Sequence, residues 1–269
     1  MPRSPKGRAR ATVERLAAEY PGTAAELCEL RFENPFQLLV ATILSAQTTD
    51  VRVNMVTPRL FAAYPDAKSL AAAELGAVEE IIRSTGFFRA KARSLVGMAR
   101  ALFERFDGEV PSAMEDLVTI PGVGRKTANV VRSVAFGLPG FAVDTHVGRL
   151  CRRLGLTEAT DPDRVEADVN RLVPPPEWGA LSLRLILHGR RVCTARAPRC
   201  DRCVLADFCP SAFTIGAVAA GARRRSGRAS GPAGSTQSSS GSARRQRPTI
   251  APGDGDGIEA SSLEDASKG

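Results

Sequence analysis

Aromatic side chains make up only 5% of the 269 residues, thin for a chain that would hold single-stranded nucleic acid mainly by stacking on bases. Histidine is scarcer still: His146 and His188 stand apart and do not by themselves establish a metal site. Six cysteines are too few for a disulfide-built scaffold, and four of them are bunched too closely for ordinary stapling, so a reducing compartment is expected. No 18-residue apolar run marks a membrane span, and the basic first residues lead into no apolar signal core. No sustained alternation argues for a sheet. The expectation is a cytoplasmic or nucleoid-associated protein without a membrane partner.

Positive charge is what the chain has in excess. Against 29 Asp and Glu stand 37 Lys and Arg, a formal charge of +8, and the average field favours a polyanion. Apolar residues recur at helical spacing. A short helix over residues 9–20 would put Val13, Leu16 and Tyr20 on one side before Pro21-Gly22 stops it. Asn34-Pro35 supplies a cap and a first-turn proline for a helix through about Gln47, with Phe36, Leu39, Val40, Ile43 and Leu44 facing the core. Further helices are predicted near 50–63, 76–84, 90–106, 112–118, 125–136, 145–154, 163–172 and 178–187. The folded body is expected to be all-α. Beyond about Thr214 the chain turns to Ala, Gly, Ser and Gln with embedded arginine clusters, too little apolar surface to offset the ~1–2 kcal/mol per residue of backbone ordering. Residues 214–269 are therefore predicted to be a disordered low-complexity tail, and residues 1–9 a disordered basic leader.

Three motifs carry chemistry. Leu117, Val118 and Ile120 can anchor one helix end while Pro121-Gly122-Val123-Gly124 turns the chain into the next helix. Glycine lets backbone approach a ligand without a Cβ in the way, and unpaired amides at the new helix start can grip phosphate. The run lacks the glycine-to-Gly-Lys spacing of an ATP loop and follows a helix pattern rather than a strand. Lys126 enters in the first turn, where amide dipoles and Arg125 disfavour an ammonium and would help expose a nucleophilic amine. Asp144, after Pro139-Gly140, is placed to cap the following helix and to face the Lys126 cleft as well. Finally, Cys193-x6-Cys200-x2-Cys203-x5-Cys209 puts four soft ligands within 17 residues, enough for zinc or an iron-sulfur cube. Arg196 and Arg199 in that loop are candidate phosphate contacts, His188 a structural neighbour of the ligands, and Cys28 and Cys151 ordinary buried thiols.

Together these motifs resemble the endonuclease III family of helix-hairpin-helix DNA glycosylases over roughly residues 10–210. The resemblance is carried by Ser45-Ala46-Gln47-Thr48-Thr49-Asp50, residues 117–131, Val143-Asp144-Thr145-His146, Leu185-Ile186-Leu187-His188-Gly189-Arg190 and the cysteine loop, in that order, with Lys126 and Asp144 18 positions apart. It implies two helical domains flanking a DNA-binding groove: residues 28–138 containing the hairpin, and residues 10–27 plus 139–211 holding one [4Fe-4S] cluster on Cys193, Cys200, Cys203 and Cys209. It implies that Lys126 is the amine nucleophile and Asp144 the essential carboxylate. Gln47 and the Thr85-Gly86-Phe87 loop would enter the duplex beside the flipped-out nucleotide, while Gly122, Val123, Gly124, Arg125, His146, Arg196 and Arg199 would contact DNA. Phe87 departs from the aliphatic residue frequent there in relatives. The implied activity is excision of oxidised pyrimidines from damaged double-stranded DNA followed by β-elimination 3′ to the abasic site. A monomer is expected because the groove can be built within one chain, and no obligatory protein partner is inferred. The alternatives are an adenine-mismatch glycosylase, which the lysine and the low-complexity tail disfavour, and a noncatalytic DNA-binding metalloprotein, which the Lys126 and Asp144 pair disfavours.

Overall fold

A computed structural model describes residues 2–214, so the tail prediction falls, but for Thr214, outside the described residues. Among those residues there is no strand, as the absence of alternating patterns predicts. Twelve helices follow in order: α1 (Pro5–Glu19), α2 (Ala24–Leu27), α3 (Pro35–Leu44), α4 (Asp50–Ala63), α5 (Ala67–Ala71), α6 (Leu75–Ile82), α7 (Phe88–Arg105), α8 (Met114–Leu117), α9 (Arg125–Ala135), α10 (Thr145–Arg153), α11 (Pro162–Leu172) and α12 (Trp178–Arg191). No helix among the described residues is long and apolar enough to cross a membrane.

Local chemistry explains the boundaries, including two that differ from expectation. Residues expected to form a disordered leader are helical from Pro5, because the Ser4 hydroxyl caps the Gly7 amide and Pro5 occupies the first turn. Arg8 holds that start down by donating to the carbonyls of Leu154 and Gly155, both at 2.7 Å. Helix α3 begins as predicted, with Asn34 accepting from the Gln37 amide, but ends at Leu44 rather than near Gln47. Gln47 sits beyond it with φ of 54°, a left-handed conformation that no continuing helix allows.

Two apolar clusters organise the packing. The first contains α3, whose Phe36, Leu39, Val40, Ile43 and Leu44 are all buried, with side chains from α4 to α9 around it. Each such fully buried large apolar side chain contributes about 1.5–3 kcal/mol. The second is built from α1, α10, α11, α12 and the segment running to Phe208. Helix α9 also packs against α12 and α2, so it joins the two. The α8–α9 hairpin is pinned by Leu117 and Ile120, whereas Val118, expected to share that role, is 44% exposed.

Candidate active site and cysteine loop

Lys126 and Asp144 open onto the same cleft, one from α9 and the other from the start of α10. The cleft has a volume of about 700 Å³ and is also lined by Gln47, Asp50, His146 and Arg190. Lys126 is exposed there. Asp144 is half-buried, and its Oδ1 accepts from the Val147 amide at 2.8 Å, so the carboxylate caps α10 and leaves its other oxygen for the cleft. A slightly larger cavity of about 780 Å³, between α1 and the end of α11, holds none of these groups. The shared cleft, which brings an amine and a carboxylate together, is the candidate site.

Close backbone approach sets the separation of the two walls. A Cβ on Gly140 would lie 2.5 Å from the Asn129 carbonyl oxygen of α9, so only glycine allows the chain leading to Asp144 to run this near. Asn129 donates to the Phe141 carbonyl, and the buried Ser182 hydroxyl of α12 donates to that of Ala142 at 2.6 Å. The Asp144 lead is thereby held by both α9 and α12.

The hairpin glycines divide their labour. Gly122 has φ of 79°, and its Cβ would press on Ser94, so the turn itself needs it. Nothing lies within 4 Å of a Cβ placed on Gly124, and α9 starts there without a side-chain cap. The fold gives no reason to exclude a side chain at Gly124; an approaching ligand would, and uncapped amides at a helix start attract anions.

Several predicted contact residues prove to be engaged by the protein. Arg125 binds the buried Glu166 of α11 through Nε and Nη2, both at 2.8 Å, which neutralises the positive charge expected to act on Lys126. Val123 is buried and its amide donates to the Ile120 carbonyl, so neither part is offered to solvent. Thr85 is buried, its hydroxyl donating to the Ile82 carbonyl. Arg196 and Arg199 are both exposed, and Arg199 also donates to the Arg191 carbonyl. The His146 Nδ1 meets Arg149 at 3.1 Å; because a guanidinium only donates, that nitrogen is the acceptor. Gly86 and Phe87 are exposed, and both have positive φ.

Residues 40–175 match the family of HhH-GPD superfamily base excision DNA repair proteins, and residues 193–209 match the iron-sulfur binding domain of endonuclease III. The chain is 56% identical over 210 residues to endonuclease III of Synechocystis, covering 78% of this chain and 94% of that protein. The chain belongs to the endonuclease III family. Endonuclease III of Escherichia coli K12 is 45% identical over 184 residues, covering 67% of this chain and 86% of its own length. A solved endonuclease III trapped as a covalent intermediate with DNA superposes with a TM-score of 0.73 at 42% identity, covering 78% of this chain and 97% of that one. A thermostable thymine-DNA glycosylase shares the fold, with a TM-score of 0.66 at 20% identity.

The endonuclease III cysteine loop suits an iron-sulfur group in its donor chemistry. Burial, followed by the neighbouring Cys193, Cys209 and Cys200, pushes the Cys203 thiol up to about 11, so these thiols sit near enough to oppose one another's ionisation. Bound iron would reverse that balance by stabilising thiolates. A donor to sulfur is already in place, since Arg153 Nη1 donates to Cys193 Sγ at 3.2 Å, and His188 Nε2 lies 3.2 Å from Cys203 Sγ. Burial pulls His188 down to about 4, which favours the neutral ring, and its Nδ1 lies 3.1 Å from the Tyr20 hydroxyl. No group of three or more His, Cys, Asp or Glu among the described residues forms the tight set that grips a single metal ion. Arg149 and Arg153, unremarked in the sequence, tie α10 to this loop through the carbonyls of Gly189, Cys193, Thr194 and Ala195.

Proposed function

We propose that this endonuclease III-family DNA glycosylase and AP lyase excises oxidised pyrimidines from duplex DNA, with the Lys126 amine as its one nucleophile. The supporting observation is that Lys126 and Asp144 share a cleft lined also by Gln47. An extrahelical nucleotide would occupy that cleft after losing a few kcal/mol of stacking and pairing, less at a lesion. The amine attacks C1′, and the glycosidic electron pair leaves with the base, which takes up a proton. Asp144 accepts a proton from the attacking amine and stabilises positive charge developing on the sugar. Ring opening then gives a C1′ Schiff base, with O4′ protonated. Loss of a C2′ proton expels the 3′ phosphate by β-elimination, and water hydrolyses the imine to free Lys126.

The uncapped start of α9 beside Gly124 and the exposed Arg196 are the proposed backbone-phosphate contacts. Gln47 and Phe87 are the proposed groups that fill the space left in the duplex. Cys193, Cys200, Cys203 and Cys209 would hold a [4Fe-4S] cluster that supplies a structural tie for the loop. Residues 28–138 and residues 10–27 plus 139–211 are the proposed domains, and one chain suffices for the cleft, so a monomer is proposed.

Borohydride reduction during turnover tests the chemistry. The intact protein should yield a covalent adduct with DNA carrying an abasic site or thymine glycol, and Lys126→Ala should yield none. Absence of the wild-type adduct on both substrates would sink the lyase mechanism, and an undiminished Lys126→Ala adduct would transfer the nucleophile elsewhere.

A further inference from the structure

Among the described non-glycine residues only Gln47, Phe87, Asp107 and Phe213 have positive φ. Two of these four are the residues proposed to enter the duplex. Gln47 has φ of 54° and Phe87 has φ of 47° at 69% exposure, so both tips are held in a conformation that L-residues disfavour. Strain of this kind persists only where surrounding structure over-determines it.

The surrounding structure here converges on one buried cation. Lys91, in the second turn of α7, is 6% exposed, and its Nζ donates to the Leu44 carbonyl at 2.8 Å, to the Thr48 hydroxyl at 2.6 Å and to the Thr85 carbonyl at 2.8 Å. An ammonium has three donors, and all three are used. Leu44 ends the helix before the Gln47 turn, Thr48 directly follows Gln47, and Thr85 directly precedes Gly86-Phe87. The Thr48 hydroxyl also reaches the Thr85 carbonyl, closing a ring between the two loops. Among the described residues no ion pair includes Lys91; its ammonium is held by the carbonyl that ends α3, the Thr85 carbonyl and the Thr48 hydroxyl.

We infer that Lys91 is a positioning residue that locks the Gln47 and Phe87 loops into one rigid wedge, and so governs how readily this enzyme extrudes a base-paired lesion. The inference rests on the proposed roles of Gln47 and Phe87. Lys91 is buried and does not line the Lys126–Asp144 cleft; it acts by fixing the spacing and backbone conformation of the tips. Burial also pulls its ammonium below the ordinary lysine range, in keeping with a charge kept out of water.

Lys91→Met and the milder Thr48→Val are the test variants, each checked for folding by circular dichroism and iron content. Three quantities are compared with wild type: single-turnover base release from paired thymine glycol, strand cleavage at a preformed abasic site, and the fluorescence rise of 2-aminopurine placed beside the lesion. Base release should fall by roughly tenfold or more in Lys91→Met and less in Thr48→Val, with the fluorescence rise reduced alongside, since misplacement by about 1 Å is costly. Cleavage at the abasic site, where no damaged base must be unpaired, should stay within about threefold. Equal loss in both reactions, or no loss in either, overturns the inference. If Lys91→Met does not fold, Thr48→Val decides by the same ratio. Wild-type protein that releases no base and gives no borohydride adduct would instead remove the functional reading beneath it.

Discussion

Asp144 caps α10 with one carboxylate oxygen, and its proposed chemical role draws on the charge of the same group. Asparagine keeps an oxygen able to accept from the Val147 amide. Asp144→Asn should therefore retain most of the cap, worth about 1 kcal/mol, while glycosylase turnover falls by about 10²–10³ for want of a charged acceptor. Melting temperature and single-turnover excision, measured together, separate the two; parallel loss of both would reduce Asp144 to a cap. The cap was legible because Asp144, Thr145 and Val147 are neighbours in sequence. Lys91 was not. Its acceptors lie 47, 43 and 6 residues away, and a lysine in an amphipathic helix reads as solvated until the helix is folded. Glu166 escaped notice for the same reason, since it meets Arg125 from 41 residues away.

Helix α9 carries Lys126 at its exposed start and Asn129 and Ser133 along its buried face. Gly140 and Gly179 each approach that face so closely that a Cβ would lie 2.5 Å and 2.6 Å from its atoms. Gly140→Ala should force the Asp144 segment off α9, costing about 1–3 kcal/mol of stability as overpacking does. Excision should fall more than the stability loss explains, read as single-turnover rate at a temperature where the variant is fully folded; an unchanged rate would show that the spacing tolerates movement. The sequence marked Pro139-Gly140 only as a helix break. Which neighbour demanded the glycine depends on how α9 and this segment pack, and no local pattern encodes that. The early end of α3 is equally invisible in the sequence, because Ser45-Ala46-Gln47 has no proline or glycine where the helix stops.

At the scale of the molecule, the cysteines sort by environment. Burial pushes the Cys151 thiol up to about 12 and also raises Cys28; the four loop cysteines lie near one another, with Cys193, Cys203 and Cys209 packed against the second cluster. In the iron-loaded protein all six should react slowly with a thiol reagent. Chelation of the iron should add four titratable thiols and lower the melting temperature, with Cys203 slow because burial holds its thiol up and Cys151 silent until denaturant is added; an unchanged thiol count after chelation would show that the loop cysteines are not ligands. The cysteine spacing is readable because all four candidate ligands occur in one short run. The arrangement of helices around them was readable as helices but not as neighbours, apart from what the family resemblance implied.

The seam between Gly140 and Asn129 bears on how damage is first met. Backbone in van der Waals contact, reinforced by Asn129 and Ser182, leaves no slack for the wall carrying Asp144 to swing away from the wall carrying Lys126. With the two walls held at this spacing, the proposed capture of an extrahelical nucleotide asks for distortion of the nucleic acid, which makes the helix's own softness at a damaged step part of the search.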